Sequence, residues 1–112
     1  MFRIIHVKSG LCVKPQMHEV HSKFSLESQI SSAELFKTTD SYFIHESSQL
    51  VLGVNDEKQL ELQEMKKFNP KQKWTVEGDF IVNCYFDEAI QEDMTIKECT
   101  GSTNEKFRIQ ME

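Results

Sequence analysis

The sequence predicts an all-β fold, a β-trefoil built from three pseudo-repeats of about four short strands each, and three observations carry that prediction. The first is the density of strand signals. Short apolar runs and period-two alternation recur along the chain, whereas amphipathic helical periodicity is sustained nowhere. The second is an internal repeat, and the third is an aromatic residue that returns at the same place in each repeat.

The strand-like pieces are Phe2-Arg3-Ile4-Ile5, Phe24-Ser25-Leu26, Leu60-Glu61-Leu62, Phe80-Ile81-Val82 and Met94-Thr95-Ile96. Polar turns such as Asn55-Asp56-Glu57-Lys58 and Thr100-Gly101-Ser102-Thr103-Asn104 separate them. The repeat appears when Ile5-His6-Val7-Lys8-Ser9-Gly10-Leu11-Cys12-Val13 is set above Ile44-His45-Glu46-Ser47-Ser48-Gln49-Leu50-Val51-Leu52, where the Ile-His pair, Ser and Leu coincide at an offset of 39. A further offset of 38 brings Val82-Asn83 and Ala89-Ile90 to the same places. Each block runs on into an alternating strand: Phe24-Ser25-Leu26-Glu27, Leu60-Glu61-Leu62-Gln63, and Met94-Thr95-Ile96-Lys97. Beyond that strand stand Phe36, Trp74 and Phe107, which are expected to be equivalent core residues.

A four-stranded block cannot bury its apolar face alone, but three of them around a pseudo-threefold axis close a barrel with a hairpin cap. The expected organisation is one domain over 1–112, with lobes of approximately 1–38, 39–76 and 77–112. The strands that begin at Phe2 and at Phe107 are expected to be neighbours that close the barrel. His6 and His45 share a repeat position, which predicts a scaffold role in holding a loop.

Composition narrows the function classes. Thirteen Lys and Arg against 18 Asp and Glu give a net charge of −5, which disfavours a general nucleic-acid binder and argues against an anionic-membrane anchor. Apolar runs such as Leu50-Val51-Leu52 are far too short to span a bilayer. Met1-Phe2-Arg3-Ile4-Ile5-His6 reads as structural sequence and lacks a leader's apolar region, so the expected location is cytoplasmic or leaderless-secreted, unless the chain is an excised extracellular domain. Cys12, Cys84 and Cys99 are odd in number and have no tight metal spacing, and the expectation is three buried, inert thiols.

The aromatic of each block ends a Gln-x-Trp-like element: Gln72-Lys73-Trp74 is intact, and Glu34-Leu35-Phe36 and Glu105-Lys106-Phe107 are degenerate forms. The chain thereby resembles the ricin B-type (R-type) lectin family, whose three lobes each carry such an element. The stretch Cys99–Phe107 is similar to that family's Cys-x-Gly…Gln-x-Trp segment. Phe2–Pro15 and the Leu52-Gly53 pair resemble the cysteine-rich domain of mannose-receptor-type receptors, without that domain's disulfide positions: Val51 and Glu64 stand there in the second lobe, and Ala89 stands where a partner for Cys99 would be. A sugar-binding lobe of the family carries an Asp directly after its Cys-Leu pair; this sequence has Lys14, Gly53 and Gln91.

The resemblance implies a carbohydrate-binding protein for galactose/GalNAc-type glycans, sulfated forms included, acting without catalysis and without cofactor or metal. Such recognition needs acceptors for vicinal hydroxyls, an amide or imidazole donor, and an aromatic face, all held by loops on a rigid scaffold. The second lobe offers Asn55, Asp56, Phe68, Asn69 and Gln72; the spacing Asn69-Pro70-Lys71-Gln72 is similar to the family's Asn-x-x-Gln pattern, which implies sugar contact for Asn69 and loop-holding for Gln72. The third lobe offers Glu92, Asp93 and Asn104, and the first Lys14, His18 and His21. His18-Glu19-Val20-His21 lacks the HExxH metal pattern, and no GxSxG, P-loop or dinucleotide motif appears. Lys66, Lys67, Lys71 and Lys73 form a basic patch around Phe68. The partners expected are glycans or glycoconjugates, with a homodimer as one route to multivalency. The alternative is a cytosolic protein-interaction or actin-binding trefoil that has lost sugar binding.

Overall fold

The computed structural model describes residues 1–28 and 34–112. Among the described residues twelve strands run in chain order: β1 Phe2–His6, β2 Cys12–Pro15, β3 Phe24–Glu27, β4 Phe36–Thr39, β5 Tyr42–His45, β6 Val51–Val54, β7 Leu60–Gln63, β8 Trp74–Glu77, β9 Phe80–Asn83, β10 Ala89–Ile90, β11 Ile96–Lys97 and β12 Phe107–Met111. All the pairings are antiparallel. The fold is a β-trefoil.

Three hairpins form the barrel wall. β12 pairs with β1 from Phe2↔Met111 to His6↔Phe107, so the two ends of the chain close the barrel as the repeat predicts. β4 pairs with β5, and β8 with β9. The β4–β5 turn places Asp40 and Ser41 at φ 52° and 68°, the left-handed pair that suits the twist of a two-residue hairpin. The hairpins join edge to edge: Phe2 faces Phe36, the Trp74 N–H donates to Ser41 O at 2.9 Å, and the Phe107 N–H donates to Asp79 O at 2.8 Å.

Three further hairpins, β2–β3, β6–β7 and β10–β11, form the cap. They bond to one another through His21 N–H to Leu62 O (2.7 Å), Leu62 N–H to Ser22 O (2.9 Å), Leu60 N–H to Met94 O (2.9 Å) and Ile96 N–H to Lys58 O (3.1 Å). Their register makes Cys12, Val51 and Ala89 equivalent, because each pairs with the matching residue Ile5, Ile44 or Val82 of the barrel strand before it.

Phe36, Trp74 and Phe107 lie in the core at 0%, 2% and 2% exposure, one from each repeat. Around them pack Ile4, Leu52, Leu60, Leu62, Ile81, Ile90 and Ile96. The Trp74 indole N–H is buried and donates to Leu52 O at 2.9 Å, so its polar edge is satisfied.

His6 and His45 do hold loops. Their Nδ1 atoms lie 2.8 and 2.7 Å from Ser9 Oγ and Ser48 Oγ. His6 Nε2 lies 3.0 Å from Asn104 O, which makes Nε2 the donor and leaves Nδ1 to accept the Ser9 hydroxyl. Asn83, the third-lobe equivalent, does the same work with an amide: Oδ1 accepts from the Tyr85 and Phe86 N–H groups, and Nδ2 donates to Lys71 O at 2.9 Å.

The thiols differ from expectation. Cys12 is buried on β2, but Cys84 and Cys99 are exposed. The third cap hairpin is short, and the chain leaves the sheet at Lys97, so Cys99 lies beyond β11. Cys84 sits in the turn after β9, where its N–H donates to Lys73 O at 2.9 Å. Burial of the Cys12 side chain pushes its thiol up from the ordinary range, which suits an inert core residue.

Candidate functional site

Each cap hairpin borders a shallow cleft. In the first lobe Lys14, Pro15, Gln16, Ser25 and Glu27 enclose about 230 Å³. In the second, residues including His21, Gln63, Glu64, Lys66, Asn69 and Lys71 enclose about 340 Å³. In the third, Gln91, Glu92, Asp93, Lys97 and Asn104 enclose about 200 Å³. The clefts are related by the repeat: Glu27, Gln63 and Lys97 pair across the hairpin with Cys12, Val51 and Ala89, and one of the three lines each cleft.

Beneath the clefts lie Glu34, Gln72 and Glu105, all buried, each two residues before its core aromatic. Gln72 is a two-way latch. Its Oε1 accepts the Lys66 N–H at 2.9 Å, and its Nε2 donates to Glu64 O at 2.9 Å and Gln63 Oε1 at 3.0 Å. Asn69 caps the 3₁₀ turn Pro70–Gln72 by accepting the Lys71 N–H at 3.1 Å. Glu105 ends a second 3₁₀ turn, Thr103–Glu105, with Ser102 in a capping box. Its carboxylate accepts the Thr100 N–H (2.9 Å), the Ser102 N–H (3.0 Å), the Thr100 hydroxyl (3.0 Å) and the Gln91 amide (2.8 Å). Burial pushes that carboxyl up, but the donors from Gln91, Thr100 and Ser102 outweigh it and hold it below the ordinary range.

Of Lys14, Gly53 and Gln91, which stand where the resemblance implies a sugar-binding Asp, Lys14 and Gln91 engage these latches directly and Gly53 faces Gln63. Lys14 Nζ lies 3.8 Å from Glu34 Oε1, and Gln91 donates to Glu105. At Gly53 a Cβ would lie 2.0 Å from Gln63 Oε1, so the Gln63 side chain fills the space a larger residue would need.

The second-lobe set proposed from sequence is divided by the structure. Asn69 and Gln72 border the cleft. Asn55 does not: its Oδ1 accepts the Glu57 and Gln59 N–H groups, and its Nδ2 donates to Gln59 Oε1 and Glu61 Oε1, so it stabilises its own turn. Asp56 is exposed at that turn, and Phe68 lines a separate groove. In the third lobe all three residues, Glu92, Asp93 and Asn104, border one cleft. The Thr95 hydroxyl and N–H donate to Asp93 Oδ1, and the hydroxyl bond leads in holding this carboxyl below the ordinary range. The Asn104 amide oxygen accepts from Lys8 Nζ at 3.0 Å.

The first-lobe set does not come together. Lys14 borders its own cleft, but the ring of His18 packs edge-on against His45 at 4.9 Å, and His21 crosses into the second-lobe cleft. The reason is the long loop between β2 and β3, which carries His21 to the neighbouring hairpin. There His21 Nδ1 lies 2.8 Å from the buried carboxylate of Glu61, which also accepts from Lys23 Nζ (3.2 Å), Asn55 Nδ2 (3.3 Å) and Gln63 Nε2 (3.1 Å). Burial pushes the Glu61 carboxyl up, and these four donors bring it below its ordinary range.

Gln63, Glu64 and Lys97 border the clefts without having been candidate ligands in the sequence, whereas Lys66 enters from the basic patch and Gln91 from the position of the family's Asp. The repeat register contains the signal for Gln63 and Lys97, since both follow the alternating strand at equivalent places. Nothing in the local sequence marks Glu64 as a cleft residue.

No protein-family model and no curated protein matches this chain. Solved structures do. The C-half of an earthworm R-type lectin in complex with GalNAc superposes with a TM-score of 0.83 at 19% identity, covering 99% of this chain and 98% of that one. The β-trefoil lectin of the Vibrio vulnificus hemolysin/cytolysin with N-acetyl-D-lactosamine bound gives 0.88 at 15% identity, over 98% and 93%. A designed threefold-symmetric protein, ThreeFoil, gives 0.80 at 12% identity, over 98% and 97%. At these identities the likeness establishes the fold, and it agrees with the threefold repeat in the sequence.

Proposed function

We propose that this chain is a carbohydrate-binding protein that takes galactose- or GalNAc-type glycans in the hairpin clefts of its lobes, without acting chemically on them. The observation that carries the reading is the second-lobe cleft. It presents the Glu64 carboxylate, the Asn69 amide and the cations of Lys66 and Lys71 around a partly apolar floor that includes Val54, all on a loop fixed by Gln72. Hydroxyl recognition needs acceptors and donors held rigidly, because each flexible side chain adds an ordering cost to a weak interaction. At about 340 Å³ the cleft lies near the lower end of small-ligand sites, roughly 300–1,000 Å³, which suits a terminal sugar. The bound GalNAc and N-acetyl-D-lactosamine of two structural neighbours support the galactose class. Lys66, Lys71 and His21 at the rim favour sulfated forms of such sugars.

The third-lobe cleft is the second subsite, with Glu92 and Asp93 as acceptors and Lys97 as donor. Asp93 is held ionised by its donors, which equips it to accept hydroxyls and not to donate a proton to a leaving group. Two weak sites on one rigid scaffold bind a branched or clustered glycan by avidity.

A glycan array with the wild-type protein and the variants Glu64→Gln and Asp93→Asn tests this. Binding to galactose-terminated glycans is expected, reduced by each variant and abolished by the pair, while Asp56→Ala leaves it unchanged. Absence of binding at high, multivalent glycan density would overturn the reading.

A further inference from the structure

We propose that the loop of residues 65–69, with Phe68 at its tip, is a docking site for an acidic peptide segment that carries a large apolar side chain. Phe68 is 88% exposed and its backbone lies in the left-handed region at φ 58°. A bulky residue is strained there, whereas Gly or Asn would hold the same turn at little cost. The side chain therefore does nothing for the fold: it is strained locally and buries almost no surface. A strained, exposed aromatic is what a binding residue looks like before its partner arrives.

The loop that presents it is rigid. The Tyr42 hydroxyl donates to Lys66 O at 2.7 Å, the Lys66 N–H donates to Gln72 Oε1 at 2.9 Å, and Asn69 caps the following turn. Little ordering remains to be done on binding. Beside Phe68 lies a groove of about 350 Å³, walled by Met65, Tyr42, Thr39, Asp40 and Lys67. It shares no lining residue with the three hairpin clefts. Met65 is 44% exposed and unbranched, so it can adjust to an inserted side chain.

Charge selects the occupant. Lys66 and Lys67 make no ion pair with the described residues, in a chain whose net charge is −5. Lys73 is already paired with Asp40 at 3.2 Å. The groove thus offers an apolar slot flanked by a free cation, which complements an apolar anchor with Asp or Glu beside it. A sugar finds little here, since the one carboxylate, Asp40, already holds Lys73. A bilayer would receive the convex tip and leave the concave groove unfilled.

Selection of random short peptides displayed on phage, followed by fluorescence anisotropy on the enriched sequences, tests the proposal. The expected consensus is one Phe, Leu, Met or Trp flanked by Asp or Glu. Phe68→Ala is expected to weaken binding by tenfold or more, on the order of one aromatic hot spot. Lys67→Glu should weaken it and lessen or invert the loss of affinity with added salt, with thermal melting and retention on a galactose matrix unchanged in both variants. The proposal is overturned if no consensus emerges, or if Phe68→Ala binds the selected peptides as well as wild type. Loss of glycan binding in Phe68→Ala overturns it in favour of a sugar subsite. Phe68-dependent flotation with phosphatidylcholine–phosphatidylserine vesicles, absent peptide binding, overturns it in favour of a membrane contact.

Discussion

Gln72 and Glu105 occupy the same place in their lobes and hold their loops with different hydrogen-bond polarity. Gln72 accepts one backbone N–H and donates to one backbone carbonyl, whereas the Glu105 carboxylate only accepts, drawing in two backbone N–H groups, a hydroxyl and an amide. The loop of each lobe is matched to its latch. Glu105→Gln is therefore expected to turn an amide NH₂ toward donors and to destabilise by about 1–3 kcal/mol, the cost of a frustrated buried group. Gln72→Glu should cost a similar amount, by setting carboxylate oxygen against the Glu64 carbonyl. Denaturant midpoints at neutral pH measure both, and a neutral result for either substitution would show that the loops re-form around the new group.

Acid stability follows from the buried carboxylates of Glu61 and Glu105 and the exposed, hydrogen-bonded one of Asp93. Glu61, Glu105 and Asp93 all titrate below their ordinary ranges in the folded chain. A group with a depressed folded pKa binds more protons when unfolded, so its stabilisation is fully present above the unfolded value of about 4 and is lost as pH falls through the folded one. The melting temperature is expected to hold from pH 7 to about 5 and to drop steeply below pH 4. In Glu61→Gln the drop should be shallower and the neutral-pH melting temperature lower, as His21 and Lys23 lose their carboxylate. Parallel acid limbs in the variant and the wild type would remove Glu61 from this account.

The fold was legible because a threefold repeat records packing three times. The Ile-His, Ser and Leu matches and the three aromatics fix the register of the barrel and cap, and Phe36, Trp74 and Phe107 are buried as equivalents. The clefts were less legible, since a side chain's use depends on what crosses to meet it. His21 reads as a first-lobe residue, yet its loop delivers it to Glu61 on another hairpin. Asn55 reads as a hydroxyl ligand, but its amide is consumed by its own turn. Glu92, Asp93 and Asn104 were found together because a short hairpin keeps the first two adjacent and His6 holds the Asn104 carbonyl beside them.

Gly53 and Gln63 compete for one volume. A Cβ on residue 53 would sit 2.0 Å from Gln63 Oε1, and Gln63 in turn receives the Gln72 amide and donates to Val54 O. Gly53→Ala should displace Gln63 and destabilise by about 1–3 kcal/mol, as overpacking does. In the double variant Gly53→Ala/Gln63→Ala the clash is gone, so its loss should be smaller than the sum of the two single losses. Additive losses in a double-mutant cycle would show that Gln63 moves aside without cost.

The inter-lobe bond of His6 gives the last prediction. His6 and Asn83 each reach back to the 3₁₀ turn of the preceding lobe, at Asn104 O and Lys71 O, with different chemistry at one position. His6→Ala leaves the Asn104 carbonyl without this donor and opens a gap beside Phe107, whose ring lies 5.0 Å from the imidazole. The expected loss is about 2–4 kcal/mol, an unsatisfied acceptor plus a cavity. Faster amide exchange should follow at Val7, whose N–H donates to Lys106 O at 3.0 Å. His6→Asn restores the donor in the form Asn83 uses, so it should recover part of the stability and the slow exchange at Val7. If His6→Asn is as unstable as His6→Ala, ring packing on Phe107 and not the bond to Asn104 is what joins the first and third lobes.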